Sequence, residues 1–580
     1  MWWSFDGNEL TLKNWVEKIS FKHKFDYIFW NPPWSKDIFW DDYKKEIEKE
    51  LKLKSVEASE SFIIKSKEYV KKWGKICLLT NSSNYSRSTW DNFKRFILDN
   101  FIIEEFINFN EINKYLFEDK TTHPATLITL LNKENKENYD IKFLKVEESN
   151  FSKYFIFTLD WKYITTSKDE LLENIDKWWI FYKWDKYDLN LINYLIEDKK
   201  NLKKISISKA FSWFQLSTKK DKQTLFDNLI KNNKPKGYEL FIKDEDINNY
   251  FIVNKNKFIS YNELESNSIF HIIYKKNTNE VSSIKNRKDS IEIFEWNKIL
   301  FNPQTKSFAF VLENSYFLNK TYVLKFWDKN EKYYFYILGL LNSNLINSYF
   351  IGNYTSRKWL KWWKYQELLV KEIKNIPIPD LEESTPLFDE ISKLSKELYL
   401  LHQEENKQEQ IEIKQQELDK YVEVAYNIFS DIDKQIIADF QKKDLEENIS
   451  NDDLIKYWEL FEKHFINSRA WILMKRQNII WDKIDFKYWN DDFLWLSWIC
   501  FSFNNQKIIE NFDNLTKELF SSSLKSEDIF EWIESSRVYL PEKKYLFIIK
   551  PNKKKHWTLS NAYKDSLYEN ELIFKNIKIK

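Results

Sequence analysis

Four consecutive residues, Asn31, Pro32, Pro33 and Trp34, concentrate the chemistry of this chain. They follow the apolar run "KFDYIFW" (Lys24–Trp30), which reads as a buried strand ended by the two prolines. In open α/β sheets, ligand sites form outside the carboxyl ends of the strands, where this tetrapeptide falls. An amine conjugated to an aromatic ring or a carbonyl is a poor nucleophile, because its lone pair is delocalised. The side-chain oxygen of Asn31 and the carbonyl of Pro32 can both accept hydrogen bonds from such an amine, favouring the pyramidal geometry that frees the lone pair. The prolines fix the backbone so that both acceptors converge, which is preorganised electrostatic catalysis. Trp34 adds a flat face on which a ring can stack. No covalent intermediate is required, and Cys77, set within an apolar strand pattern, reads as core.

The elements that must hold this loop alternate. A helix is expected around Glu57–Lys72, a strand at "KICLLTN" (Lys75–Asn81), and a helix over Thr89–Asn100. Strands at Ile102–Phe109 and His123–Leu131 close the region. Such alternation predicts an α/β sheet with helices on its faces. Residues 141–380 carry shorter β-like runs, among them "LFIKDEDINNYFIV" and "SFAFVLENSYFLNKTYVLKF", and end at "NIPIPDL". Residues 383–428 read as continuously helical, with Leu and Ile at three- and four-residue spacing that suits a bracing hairpin or short coiled coil. Residues 450–580 read as mixed α+β. The domain expectation is 1–165 for the catalytic part, 166–382 for a second mixed α/β region, 383–445 for a helical spacer and 446–580 for a small α+β domain.

Composition narrows the class. The net charge of +1 argues against a uniformly basic nucleic-acid binder, though local patches remain compatible with it. With only Cys77 and Cys500, there is neither a disulfide framework nor a cysteine zinc site, and the six histidines never fall at ligand spacing. No apolar run reaches the roughly 18–20 residues that span a bilayer, so a soluble, cytoplasmic protein without membrane or structural metal is expected. One imbalance stands out. The chain has 5 glycines and 26 tryptophans, where usage of about 7% would give roughly 40 glycines. Tryptophans sit where glycine is expected, at Trp30, at Trp73 between a helix and a strand, and at Trp362 and Trp363 in "RKWLKWWKY". The expectation is that many are UGA codons that the source organism reads as glycine, a reassignment known in some bacterial lineages.

"FDYIFWNPPW" resembles the "FDxIxGNPPY/F/W" block of N-6 adenine DNA methyltransferases of the TaqI type and of related type IIG restriction–modification enzymes, with Trp30 at the glycine position. "SFIIKSKEYVKKWGKICLLTNSS" (Ser61–Ser83) and "YLFEDKTTHPATLITLL" (Tyr115–Leu131) are similar to later blocks of that family, and "FSWFQLSTKK" (Phe211–Lys220) and "YILGLLNSNLINSYF" with the following basic stretch resemble its target-recognition domain. The resemblance implies S-adenosylmethionine as cofactor and double-stranded DNA as partner, with the target adenine flipped out of the duplex. It implies a catalytic loop at Asn31, Pro32, Pro33 and Trp34, with Trp34 and Phe117 beside the flipped base. It further implies that Phe62 packs on the cofactor's adenine ring. Asn8 stands where the family carries an acidic residue contacting that ring. Arg357, Lys358, Lys361 and Lys364 are implied contacts to the DNA backbone.

The fold implied is an incomplete Rossmann-like methyltransferase sheet followed by the target-recognition domain. The family's glycine-rich cofactor turn is not found among the 30 residues before Asn31. The chain is therefore expected to be a fragment, or one half of a split enzyme whose separate partner chain carries that motif. Site-specific adenine methylation in a restriction–modification system is the leading expectation. A catalytically inactive DNA-binding remnant or specificity subunit is the alternative. A protein-glutamine methyltransferase fits less well, since it needs no large recognition domain.

Overall fold

The computed structural model describes residues 24–32, 49, 58–82, 85, 91–110, 112–117, 125–134, 137–147, 158–175, 178, 181, 186–197, 199–202, 215–216, 226–260, 270–271, 297–317, 321–326, 329–352, 373–440, 447–468, 485–491, 496–502, 537–540 and 545–578. The chain divides into two compact units, one of residues 1–185 with 533–535, the other of 186–532 with 536–580.

The first unit is built on a six-stranded mixed sheet in the order β1-β2-β4-β3-β5-β6. Its strands are β1 (Phe25–Trp30), β2 (Val70–Asn81), β3 (Ile102–Asn108), β4 (Ala125–Leu131), β5 (Asp140–Glu147) and β6 (Thr158–Ser167). β1 and β2 pair in parallel, as do β3 and β5, while β4 runs antiparallel to both β2 and β3. The helices α1 (Ala58–Tyr69) and α2 (Asp91–Asn100) precede β2 and β3. This is the mixed α/β architecture that the alternating pattern predicts. Alternate residues of the inner strands supply the core, with Ile76, Leu78, Phe106, Ile128 and Leu130 buried, and α2 adds Phe93, Ile97 and Leu98. Trp178 closes one side of it. Its ring meets the edge of Phe106, and its indole N–H donates to the carbonyl of Leu171 at 2.9 Å.

β1 departs from expectation, because Phe25, Tyr27, Phe29 and Trp30 are exposed rather than buried. The reason is position, since β1 is the terminal strand of the described sheet and β2 flanks it on one side only. The boundary between α1 and β2 also shifts. The helix ends at Tyr69, and β2 starts at Val70 rather than Lys75. The extra residues include Trp73, whose φ of 68° lies in the left-handed region. Its N–H donates to the carbonyl of Asn132 at 3.0 Å, and the Asn132 N–H donates to the carbonyl of Gly74 at 2.9 Å. A Cβ on Gly74 would lie 2.7 Å from the carbonyl oxygen of Asp26, so β1 and β2 approach here as closely as glycine allows.

In the second unit, the strand Lys298–Asn302 lies between Ser307–Val311 and Tyr322–Leu324, and Glu239–Ile242 pairs with Phe258–Ile259 and Ser315–Phe317. The helix Glu331–Asn342 packs on Pro386–Leu401, which packs on Gln408–Ala425. Of the hairpin or short coiled coil expected over 383–428, the chain forms the hairpin, broken at residues 402–407, where Asn406 takes a φ of 60°. Asp419 accepts from the backbone N–H and from the side-chain amide of Asn344, both at 2.8 Å, and so caps the π-helical turn Asn344–Ile351.

A four-stranded antiparallel sheet near the C-terminus runs Asp485–Asp491, Leu496–Ser502, Tyr545–Pro551, Arg537–Leu540 in spatial order. The helices Asn451–Phe465 and Leu559–Lys578 pack together. Within this core, Lys550 pairs with the buried carboxylate of Asp565, which also accepts from the hydroxyl of Tyr457. Buried carboxylates connect the last helix to earlier elements. Asp188 lies 3.9 Å from Lys564 and accepts from Tyr349, and Asp439 accepts from the Ser560 N–H at 2.7 Å.

Candidate functional site

Strand directions bring the candidate residues to one end of the six-stranded sheet. β1, β2 and β3 all point the same way, so Asn31, Asn81–Ser82 and Asn108–Asn110 leave the sheet at a common carboxyl end. Asn31 is exposed there and Pro32 is buried, which anchors the backbone on which the Asn31 side chain stands. Register sets this height, since Trp30 lies opposite Leu78, and β2 continues to Asn81.

Phe62 is half-buried near the start of α1. Its ring is stacked on the indole of Trp30, with centroids 6.1 Å apart and planes 14° apart. The structure therefore places an aromatic of α1 directly beside the residue that precedes Asn31. Phe117 follows the short helix Asn113–Leu116 after β3, and its N–H donates to the carbonyl of Asn113 at 3.2 Å. It belongs to the same end of the sheet as Asn31, but β2 and β4 stand between their strands, a spread of about 14 Å at ~4.8 Å per strand. Pro33, Trp34, Asn8, Arg357, Lys358, Lys361, Lys364, Trp213, Trp362 and Trp363 lie outside the described residues.

At the same end of the sheet lies a polar network that sequence reasoning did not single out. The Ser82 hydroxyl bonds to that of Thr126 at 2.5 Å and donates to the Asn110 side chain at 3.0 Å. Asn108 accepts from the backbone N–H of Asn110 at 2.9 Å, and Thr80 meets the Tyr85 hydroxyl at 2.9 Å. Burial pushes the Tyr85 phenol well above its ordinary range, so it stays protonated and acts as a hydrogen-bonding strut. The only sequence signal was "TNSS", a polar cluster immediately after an apolar strand. These groups tie the ends of β2, β3 and β4 together at the end of the sheet where β1 also delivers Asn31.

Cys77 is half-buried and faces the Thr129 hydroxyl at 3.8 Å. Burial raises its pKa, which keeps the thiol protonated and disfavours a nucleophilic role. Among the described residues, no group of His, Cys, Asp or Glu could hold a metal ion. No described helix is long and apolar enough to cross a membrane.

Residues 6–166 match the family model described as N-6 DNA Methylase. No curated protein matches the chain. Among solved structures, similarity extends to the type IIG restriction endonuclease BpuSI, at 12% identity over 69% of this chain and 54% of that one, with a TM-score of 0.29. The type IIL restriction–modification enzyme MmeI in complex with DNA is similar at 12% identity over 70% and 55%, with a TM-score of 0.39. A nuclease-deletion mutant of the type ISP enzyme LlaGI with a DNA substrate mimic is similar at 12% identity over 94% and 52%, with a TM-score of 0.35. The chain spans about half the length of each of these structures.

Proposed function

We propose that the first unit is the catalytic end of an S-adenosylmethionine-dependent methyltransferase acting on the exocyclic N-6 amine of adenine in double-stranded DNA, within a restriction–modification system. The observation that carries this reading is the Asn31–Pro32 step at the carboxyl end of β1, inside the stretch that matches the N-6 DNA Methylase model.

In this reading the Asn31 side-chain oxygen and the Pro32 carbonyl accept hydrogen bonds from the adenine amine and favour its pyramidal form. Trp34 and Phe117 stack on the flipped base. Phe62 is fitted by its half-buried ring and its place beside the strand end to carry the cofactor's adenine, with Asn8 contributing from the preceding segment. When bound, the cofactor supplies an electrophilic methyl group. Arg357, Lys358, Lys361 and Lys364 contact phosphates and so position the duplex without reading its sequence. A separate chain carrying a glycine-rich turn would complete the cofactor site, and a cytoplasmic location accords with DNA as substrate.

Transfer of labelled methyl from S-adenosylmethionine to DNA tests the catalytic assignment. Asn31→Ala is expected to lower the rate at least ~100-fold, the usual effect of removing one preorganised hydrogen-bonding group, while DNA binding persists. Undiminished transfer by Asn31→Ala would remove Asn31 from the mechanism.

One observation favours a second reading, in which the chain binds DNA without methylating it. The Phe62 ring already has an aromatic neighbour in the Trp30 indole, with centroids 6.1 Å apart. Sequence-selective DNA binding with no transfer, in the presence of any partner chain, would establish that alternative.

A further inference from the structure

We propose that Ser82 is a positioning residue that holds the two contacts to the target base, Asn31 and Phe117, at a fixed span, by tying the exit of β2 to the exit of β3. This role rests on the assignment of Asn31 and Phe117 to the base. It adds the side chain that fixes their separation.

Asn31 and Phe117 follow β1 and β3, with β2 and β4 between those strands. The backbone ladder ends well before Phe117. β2 pairs with β4 as far as Asn81 opposite Ala125, and β3 pairs with β4 as far as Asn108 opposite Thr126. One more backbone bond follows, from the Phe109 N–H to the Ala125 carbonyl at 3.0 Å. Beyond it the exits are joined by side chains that meet at Ser82. Its hydroxyl donates to the Asn110 side-chain oxygen at 3.0 Å. Strands on either side of a third lie about 10 Å apart, so this bond crosses over the start of β4. A hydroxyl has a single proton, so in the second bond, at 2.5 Å, Thr126 donates to Ser82. Among the described residues, Ser82 is the only partner of the Asn110 side chain, whose amide nitrogen is buried without one.

Both ends of this tie lead to the base contacts. Ser82 is fully buried directly after β2, and β2 holds β1 through the pairing of Leu78 with Trp30, one residue before Asn31. On the other side, the Ile112 N–H donates to the Phe109 carbonyl at 3.0 Å, and Ile112 and Asn113 are buried. The Phe117 N–H then donates to the Asn113 carbonyl at 3.2 Å. A shift at Asn110 is therefore passed on to Phe117. Without the Ser82 hydroxyl, the β3 exit is held to β4 alone, and the aromatic can drift from Asn31.

The test uses the complex of this chain with the chain that completes its cofactor site, labelled S-adenosylmethionine, and DNA amplified in vitro, which carries no methyl groups. Ser82→Ala and Asn110→Ala cut the tie from its two ends. Each should lower kcat about 10- to 100-fold, the range for a misplaced reacting group. KM for DNA should stay within about twofold, because phosphate contacts hold the duplex. Thr166→Val removes a comparably buried hydroxyl from β6, outside the network. It should lower the melting temperature as Ser82→Ala does and leave kcat unchanged. Beside Phe117→Leu, itself slow, Ser82→Ala should cost nothing more, since it acts through that aromatic. Undiminished kcat in Ser82→Ala and Asn110→Ala, with a loss in Phe117→Leu, overturns the tie and leaves Phe117 assigned to the base. An equal loss in Thr166→Val, or a loss from Ser82→Ala that persists beside Phe117→Leu, also overturns it and makes the network a strut of the fold. If Ser82→Ala melts below the assay temperature, Asn110→Ala decides between these outcomes. Unchanged kcat in Phe117→Leu overturns both the tie and the assignment, as does absence of transfer by the parent complex.

Discussion

In the core packed on the C-terminal sheet, Trp458 and Trp557 are 4% and 3% exposed, whereas on β1 and β2 of the first unit Trp30 and Trp73 are 48% and 56% exposed. The buried pair is fully engaged. Trp458 stacks on Phe486 with centroids 4.4 Å apart, and Trp557 meets Tyr457 edge-on at 5.0 Å. The exposed pair is held more loosely, and Trp73 stands where the backbone favours glycine. Trp73 sits at a positive φ with its ring under the Lys133 ammonium, and Trp30 lies beside Phe62 with near-parallel rings. The same residue type thus occupies two kinds of place. Packing holds tryptophan in one, and in the other the left-handed backbone of Trp73 is the conformation that suits glycine.

The largest expected effect separates those two places directly. Trp557→Gly should destabilise the second unit by about 3–5 kcal/mol, the usual cost of emptying a large aromatic from a core. Trp73→Gly should change stability by no more than about 1 kcal/mol in either direction. It relieves ~1–2 kcal/mol of left-handed strain and gives up a surface cation–π contact of ~0.5–1 kcal/mol. Denaturant titration measures both, and comparable losses in the two variants would end the distinction.

The ion pairs of the same two regions make the next comparison. Asp565→Ala leaves Lys550 without its buried carboxylate and should cost about 3–5 kcal/mol. Asp26 pairs with Lys71 at 2.8 Å on the exposed edge, where both side chains are in water. Asp26→Ala should cost about 0–1 kcal/mol, and that small loss should shrink further in salt. A larger, salt-insensitive loss from Asp26→Ala would mean that the β1 edge is shielded from solvent.

A further expected effect is a slope. Burial raises the Asp419 carboxyl to about 6 from an ordinary value of 3.8, against the pull of its hydrogen bonds from Asn344 and Gln415. Because the folded-state value is the higher one, this group's contribution to stability is complete below about 4 and is lost as pH rises through about 6. Asp419→Asn should flatten the melting temperature of the second unit between those values. An unchanged slope would assign the pH dependence to other groups, the half-buried Glu423 first.

Much of the first unit was legible because its strands announce themselves. "FDYIFW", "KICLLTN" and "ATLITLL" are apolar, β-rich and bounded by turn residues, and they fall in β1, β2 and β4. What local sequence misjudged was environment. An apolar hexapeptide looks buried, but β1 ends the described sheet and shows its aromatics to solvent. The early start of β2 was equally hidden, since "VKKWG" has no strand pattern and is held in the sheet by Asn132 across the ladder. Around the candidate site, Asn31 and Phe62 could be read from motif and spacing. The Ser82–Thr126–Asn110 network could not, because its members come from three separate segments and meet only when the sheet forms. The pairing of Lys550 with Asp565 was invisible for the same reason.

The two carboxylates that reach the last helix have a consequence for how the second unit opens. Asp439 supplies an acceptor to the first turn of Leu559–Lys578, and Asp188 receives Lys564 from the next turn. A helix tied at two successive turns to segments more than a hundred residues earlier cannot fray independently without exposing charges whose partners stay behind. Its amides should therefore exchange with solvent in step with those of Lys186–Ile196 and Asp431–Asp439, as one cooperative block rather than as a terminal tail.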